Sequence, residues 1–107
     1  MNEKAVGRIS QIPKGEGRNF VVDGVTIAVF HTHAGEVYAT QPNCPHKQGP
    51  LADGLLGGST VVCPLHDRTY DLRTGQEIGS DCVLKTYPVR ATADGAILLS
   101  VKELATA

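Results

Sequence analysis

Short runs of alternating apolar and polar residues follow one another along the chain, and turn residues separate them. Asp23-Gly24 stands between the apolar runs 20–22 and 25–30, a strong signal for a two-residue β-hairpin. Further runs rich in β-branched residues occupy positions 5–9, 37–40, 60–63, 69–72, 84–90 and 96–101. Pro88 interrupts one of them and indicates an edge or a bulge. Helical periodicity is nearly absent. The pattern therefore predicts about eight or nine short strands in an all-β sandwich or barrel.

The length and the net charge of the chain argue against several classes of function. The chain has 107 residues, which predicts one domain over residues 1–107 and leaves no room for separate nucleotide-binding and catalytic domains. The formal net charge of −1 argues against nucleic acid or an anionic membrane as the main partner. No apolar run approaches the ~18 residues of a membrane span, and residues 1–4 show no signal-peptide character. We expect a cytoplasmic protein that does not bind membranes.

Two loops break the strand pattern, and each carries one cysteine and one histidine. The pairs are Cys44 with His46 and Cys63 with His66. With Cys82 the chain has three cysteines, an odd count that disfavours a disulfide framework and favours metal binding. A single zinc ion accepts two cysteines and two histidines. One cysteine and one histidine from each loop also suits a two-iron centre, with thiolates on one iron and imidazoles on the other. A two-iron centre is favoured, while zinc and a metal-free chain stay open.

The sequences Cys44-Pro45-His46 and Cys63-Pro64-Leu65-His66 match the two Rieske boxes, C-x-H and C-x-x-H. The chain resembles the Rieske family over nearly its whole length. The resemblance implies an antiparallel β sandwich or barrel with two cluster-binding loops at one tip. It also implies one Rieske-type [2Fe-2S] cluster per chain, with Cys44 and Cys63 on one iron and His46 and His66 on the other. A chain of this kind carries one electron and has no catalytic residues of its own.

The resemblance also points to a branch of the family. Gly49 and Leu65 occupy positions where high-potential Rieske proteins have a disulfide, and Arg68 replaces their serine. We therefore expect a potential toward the lower end of the family range of roughly −150 to +300 mV.

The stretches 44–54, 61–72 and 81–90 resemble the small subunit of assimilatory NAD(P)H nitrite reductase, which reduces nitrite to ammonia. That resemblance implies a large partner subunit carrying flavin, an iron–sulfur cluster and sirohaem. The alternative is a ferredoxin that takes electrons from a reductase and delivers them to a ring-hydroxylating dioxygenase.

Other candidate residues have simpler interpretations. Cys82 is expected to pack in or near the core. His31 and His33 are expected to lie on a solvated hairpin shoulder rather than to form a second metal pair. Tyr70 either donates its hydroxyl to a ligand thiolate or packs beside the second loop. Asp67 and Arg68 either guide a partner or are simply solvated. Residues 53–58 are expected to form a connecting loop and turn.

Overall fold

The computed structural model describes residues 3–43, 50–63, 68–79 and 82–100, and ten short strands account for half of them. The strands are β1 (Glu3–Arg8), β2 (Glu16–Val22), β3 (Val25–His31), β4 (Val37–Thr40), β5 (Leu55–Gly57), β6 (Thr60–Val62), β7 (Thr69–Asp71), β8 (Thr86–Tyr87), β9 (Val89–Ala91) and β10 (Ala96–Ser100). The helices among these residues are short 3₁₀ turns at Ile9–Gln11 and Leu51–Asp53. None of these described helices is long and apolar enough to cross a membrane. The all-β prediction is confirmed.

The strands form three antiparallel sheets. The first has the order β1-β10-β9, the second β2-β3-β4-β8 and the third β5-β6-β7. The predicted single strand over 84–90 is wrong, because the chain leaves the second sheet after β8 and enters the first at β9. Pro88 lies at this crossing. It has no N–H to donate to a ladder, and its carbonyl accepts from the Ser100 N–H at 3.0 Å.

The hairpin between β2 and β3 follows the sequence prediction. Asp23 and Gly24 both have positive φ, 51° and 81°, as the favoured two-residue hairpin turn requires. Val22 pairs with Val25 next to the turn, and the register continues to Glu16 opposite His31. Because glycine tolerates this backbone region and aspartate tolerates it better than most residues, the dipeptide sets the register of the hairpin.

Strand β3 is buried on both faces. Successive side chains of a strand point in opposite directions, so Ile27 and Val29 face one core while Ala28 and Phe30 face another. All four are fully buried. The first core lies between the first and second sheets, with Ile12, Val22, Ala39, Tyr87, Ile97 and Leu99. The second core lies between β3 and the third sheet, with Leu51, Val61, Cys63, Tyr70, Leu72 and Leu84.

The prediction of a plain loop over residues 53–58 is wrong. Residues 51–53 form a 3₁₀ turn and 55–57 form β5, which pairs with β6 through Leu55–Val62 and Leu56–Val61. Leu56 is half-buried against the second core, whereas Leu55 points outward. The alternation of these leucines is the strand signal that the neighbouring glycines obscured.

Replacing Ile27 with alanine is expected to destabilise the protein by about 2–5 kcal/mol, because it removes a buried side chain and leaves a cavity in the first core. Urea unfolding followed by circular dichroism measures the change. Val21→Ala is the control, since Val21 lies on the neighbouring strand and is 71% exposed. Equal losses for the two variants would contradict the burial of Ile27 in the first core.

Candidate metal centre

Cys63 is the one predicted ligand among the described residues; Cys44, His46 and His66 lie outside them. Cys63 directly follows β6, is fully buried and belongs to the second core. The described residues also include the chain on both sides of each predicted ligand loop. They therefore show how the fold presents the two loops.

The second loop starts from a closed hairpin. Val62 pairs with Thr69 at the last position of the β6–β7 ladder, and the Cys63 N–H donates to the Arg68 carbonyl at 2.7 Å. This hydrogen bond continues the ladder by one position. Cys63 and Arg68 are therefore held directly opposite one another at the base of the second loop.

The first loop is closed in a similar way. Asn43 and Pro50 form an antiparallel bridge, and the Leu51 N–H donates to the Pro42 carbonyl at 3.0 Å. Leu51 then inserts fully buried into the second core, next to the same apolar residues that surround Cys63. The ends of both predicted ligand loops are thus fixed by backbone hydrogen bonds and by one shared core.

Gly54 brings the two loop bases into contact. A Cβ atom at this position would overlap the Val62 carbonyl oxygen and would lie 3.0 Å from Val61 Cγ2. Val62 is the residue that precedes Cys63. Only glycine lets the backbone after the first loop approach the strand that leads into the second.

A third segment, residues 75–84, borders the loop bases. The Ile78 N–H donates to the Thr69 carbonyl at 2.8 Å, and the Leu84 N–H donates to the Gly75 carbonyl at 2.7 Å. Gly75 has φ +84° and makes a backbone approach to Leu84 that a side chain would block. Cys82 in this segment is half-buried against the second core, which confirms its predicted packing role.

Gln41 connects Lys85, the residue that follows this third segment, to the base of the first loop. Its side-chain oxygen accepts from the Lys85 N–H at 2.8 Å, and its Nε2 donates to the Asn43 carbonyl at 2.8 Å. Its backbone N–H also donates to the Lys85 carbonyl at 2.8 Å. The sequence analysis missed this residue, because nothing local to position 41 indicates a partner far along the chain.

Arg68 and Glu77 form an ion pair beside the second loop, in which one guanidinium nitrogen donates to both carboxylate oxygens. Arg68 Nη1 donates to Glu77 Oε1 at 3.0 Å and to Oε2 at 2.8 Å. The Glu77 side chain is 7% exposed and that of Arg68 35%. The hydrogen bond to Glu77 raises the pKa of Arg68 above its usual value. The expectation that Arg68 is simply solvated is therefore wrong; Asp67 lies outside the described residues.

Tyr70 and His31 are both buried. Tyr70 is a fully buried member of the second core, in line with packing, and a bond from its hydroxyl to a ligand thiolate stays a prediction. His31 is 7% exposed and its Nδ1 lies 2.7 Å from the Ile12 carbonyl oxygen, so the solvated position predicted for it is wrong. His33 is exposed, as predicted. The described residues contain no group of three His, Cys, Asp or Glu side chains that could hold a metal.

A family model of the Rieske [2Fe-2S] domain matches residues 2–88. The chain belongs to the Rieske family. Rieske domains hold a [2Fe-2S] cluster through cysteine and histidine ligands. The buried Cys63 fits this cofactor, since it places a thiol at the mouth of a hydrogen-bonded loop and away from water. The protein therefore has a Rieske-type cluster and belongs among electron carriers.

Known proteins similar to this Rieske chain include ferredoxins of dioxygenase systems and a nitrite reductase small subunit. It is 34% identical over 94 residues to the ferredoxin component of a Pseudomonas aeruginosa naphthalene 1,2-dioxygenase system, covering 84% of this chain and 89% of that protein. It is 36% identical over 106 residues to the 3-phenylpropionate/cinnamic acid dioxygenase ferredoxin subunit of Photorhabdus laumondii, covering 96% and 98%. Its fold is shared by a Mycobacterium tuberculosis protein named as an NADH-dependent nitrite reductase small subunit. That match has a TM-score of 0.82 at 21% identity, covering 91% of this chain and 92% of that one.

Gly54→Ala is expected to separate the two loop bases and to weaken cluster retention, because the new methyl group meets the Val62 carbonyl. Iron content and visible absorbance after gel filtration measure the loss. Gly57→Ala is the matched control. A Cβ there meets only Thr60 Oγ1 at 3.6 Å, an ordinary contact. Full cluster occupancy in Gly54→Ala would show that the close approach does not support the site.

Proposed function

We propose that the protein is the ferredoxin component of a multicomponent oxygenase, carrying single electrons from a reductase to an oxygenase. The observation that carries this proposal is the identity to a dioxygenase ferredoxin subunit, which extends over nearly the full length of both chains. A second dioxygenase ferredoxin, from Pseudomonas aeruginosa, is 34% identical over 94 residues. Both relatives therefore support a ferredoxin role for this chain.

Cys44 and Cys63 would hold one iron, and His46 and His66 the other. The box spacing and the family match support this assignment. When bound, the cluster takes up and releases one electron. The chain's own residues close the first loop with the hydrogen bond from the Leu51 N–H to the Pro42 carbonyl, and the second with the bond from the Cys63 N–H to the Arg68 carbonyl. A rigid frame of this kind limits rearrangement when the charge of the site changes by one unit.

A second candidate is the small subunit of an assimilatory nitrite reductase. The stretches 61–72 and 81–90, with Cys82 in the second, resemble that subunit. The electron would then pass to or from a large flavin and sirohaem subunit that reduces nitrite to ammonia. In both candidates the isolated chain is a carrier and the partner performs the catalysis.

Cys44→Ser and Cys63→Ser are each expected to abolish the red-brown colour and the low-temperature EPR signal of the dithionite-reduced protein. Serine cannot supply the thiolate that the iron requires. Cys82→Ser is the control, because Cys82 is half-buried and lies outside both boxes. A Rieske signal that survives in Cys44→Ser or Cys63→Ser would refute the ligand assignment.

Stopped-flow mixing separates the two candidate partners. The reduced protein is mixed with the purified oxygenase component of an aromatic-ring dioxygenase, and separately with the sirohaem subunit of a nitrite reductase. The proposal expects at least tenfold faster reoxidation by the oxygenase, with hydroxylated product in proportion. The protein mixed with buffer alone corrects for reaction with oxygen. Faster transfer to the sirohaem subunit, with ammonia formed from nitrite, would favour the second candidate instead.

A further inference from the structure

Glu77 is a buried carboxylate outside both ligand boxes. Its side chain is 7% exposed, and Glu77 forms a β-bridge with Tyr70, which belongs to the second core. Removing a carboxylate from water is costly unless a positive partner offsets it, and here Arg68 supplies that partner through two hydrogen bonds. Two packed hydrophobic residues would commonly serve stability as well as a buried ion pair. Stability alone therefore does not explain why this ion pair is present.

The strand register places this ion pair on the same face as Cys63. Cys63 lies opposite Arg68, and Tyr70 forms an isolated bridge with Glu77. Side chains of a strand alternate, so residues 61, 63, 68, 70 and 77 share one face of the third sheet. Val61, Cys63, Tyr70 and Glu77 are all buried, which confirms that this face is the inner one.

The two charges stand at different places relative to Cys63. Arg68 is the direct cross-strand neighbour of Cys63, whereas Glu77 lies one strand further away, on the far side of β7. Directly opposed residues in a sheet have Cβ atoms about 4.5–5.5 Å apart. Because water screens little in a buried site, fixed charges at such separations influence any change of charge at the thiolate.

We propose that Arg68 and Glu77 act as a pair of positioning residues that set the reduction potential of the centre. The proposal rests on the assignment of Cys63 as a ligand. Arg68 favours the reduced state, which has one more negative charge. Glu77 fixes the guanidinium beside Cys63 with two bonds and partly offsets its charge.

If the pair sets the potential, removing either charge should shift the midpoint potential, and the two shifts should have opposite signs. A pair that only stabilises the loop structure would not produce opposite shifts. Glu77→Gln removes the negative charge, while the amide oxygen still accepts a bond from Arg68, so the potential should rise. Arg68→Gln removes the positive charge and should lower it. We expect the two variants to differ by at least tenfold in the reduction equilibrium, which is about 59 mV for one electron. The double variant should lie between them.

Protein-film voltammetry on the complete cluster-containing chain at neutral pH makes the measurement. Glu3→Gln and Arg90→Gln are the matched controls. They break an ion pair that is also held by two hydrogen bonds, but one that is exposed and belongs to the first sheet. Neither control should shift the potential. Arg68→Lys should stay close to wild type, because it keeps the charge, and it replaces Arg68→Gln if that variant loses the cluster.

Unchanged potentials in Glu77→Gln and Arg68→Gln, or shifts in the same direction, would overturn the proposal. If Arg68→Lys has to replace Arg68→Gln, a midpoint potential of Glu77→Gln that does not rise above the wild-type value would also overturn the proposal. The EPR spectrum of each reduced variant separates this failure from that of the ligand assignment. A variant with the wild-type Rieske signal and an unmoved potential refutes only the tuning role. A Rieske signal that persists in Cys63→Ser refutes the assignment itself.

Discussion

The burial of β3 on both faces is the constraint on which the rest of the structure depends. A strand covered on both sides must be apolar along its whole inner length, and residues 27–30 meet this condition. One set of side chains joins β3 to the first core and the alternate set joins it to the second. The third sheet is therefore held to the other two through the same strand. This arrangement also fixes the positions of the loop bases, since Leu51 and Cys63 both lie in the second core.

Features that depend on a few neighbouring residues were predictable from the sequence. The Asp23-Gly24 turn predicted the hairpin because only a few residue types accept positive φ at two successive positions. The two Rieske boxes predicted the family because ligand chemistry fixes both residue type and close spacing. In both cases the physical requirement and the residues that meet it lie within a few positions of each other.

Features that depend on distant pairing were not predictable in the same way. Glu77 is ordinary in sequence, and its burial follows from a bridge to Tyr70 and an ion pair with Arg68. Gln41 acquires its role through Lys85, 44 positions away. The sequence around His31 predicts a solvated hairpin residue, because it does not show that the Ile12 carbonyl will lie beside the imidazole ring. In each case the third sheet or a neighbouring loop supplies the partner, and no local sequence pattern indicates which residue that partner is.

The buried scaffold says little about which partner exchanges electrons with the protein. A nitrite reductase small subunit shares the fold at a TM-score of 0.82 with only 21% identity, as expected if packing of the cores alone is held in common. Burial of β3, closure of the two loops and the glycine contacts serve any partner equally well. Recognition of a partner instead depends on exposed residues near the loops, where packing imposes little constraint. An identity of 36% over nearly the whole chain is a likeness of sequence, which a shared fold at 21% identity does not supply. The proposed partner therefore rests on the sequence likeness to the dioxygenase ferredoxins, and the agreement of the backbone supports the fold alone.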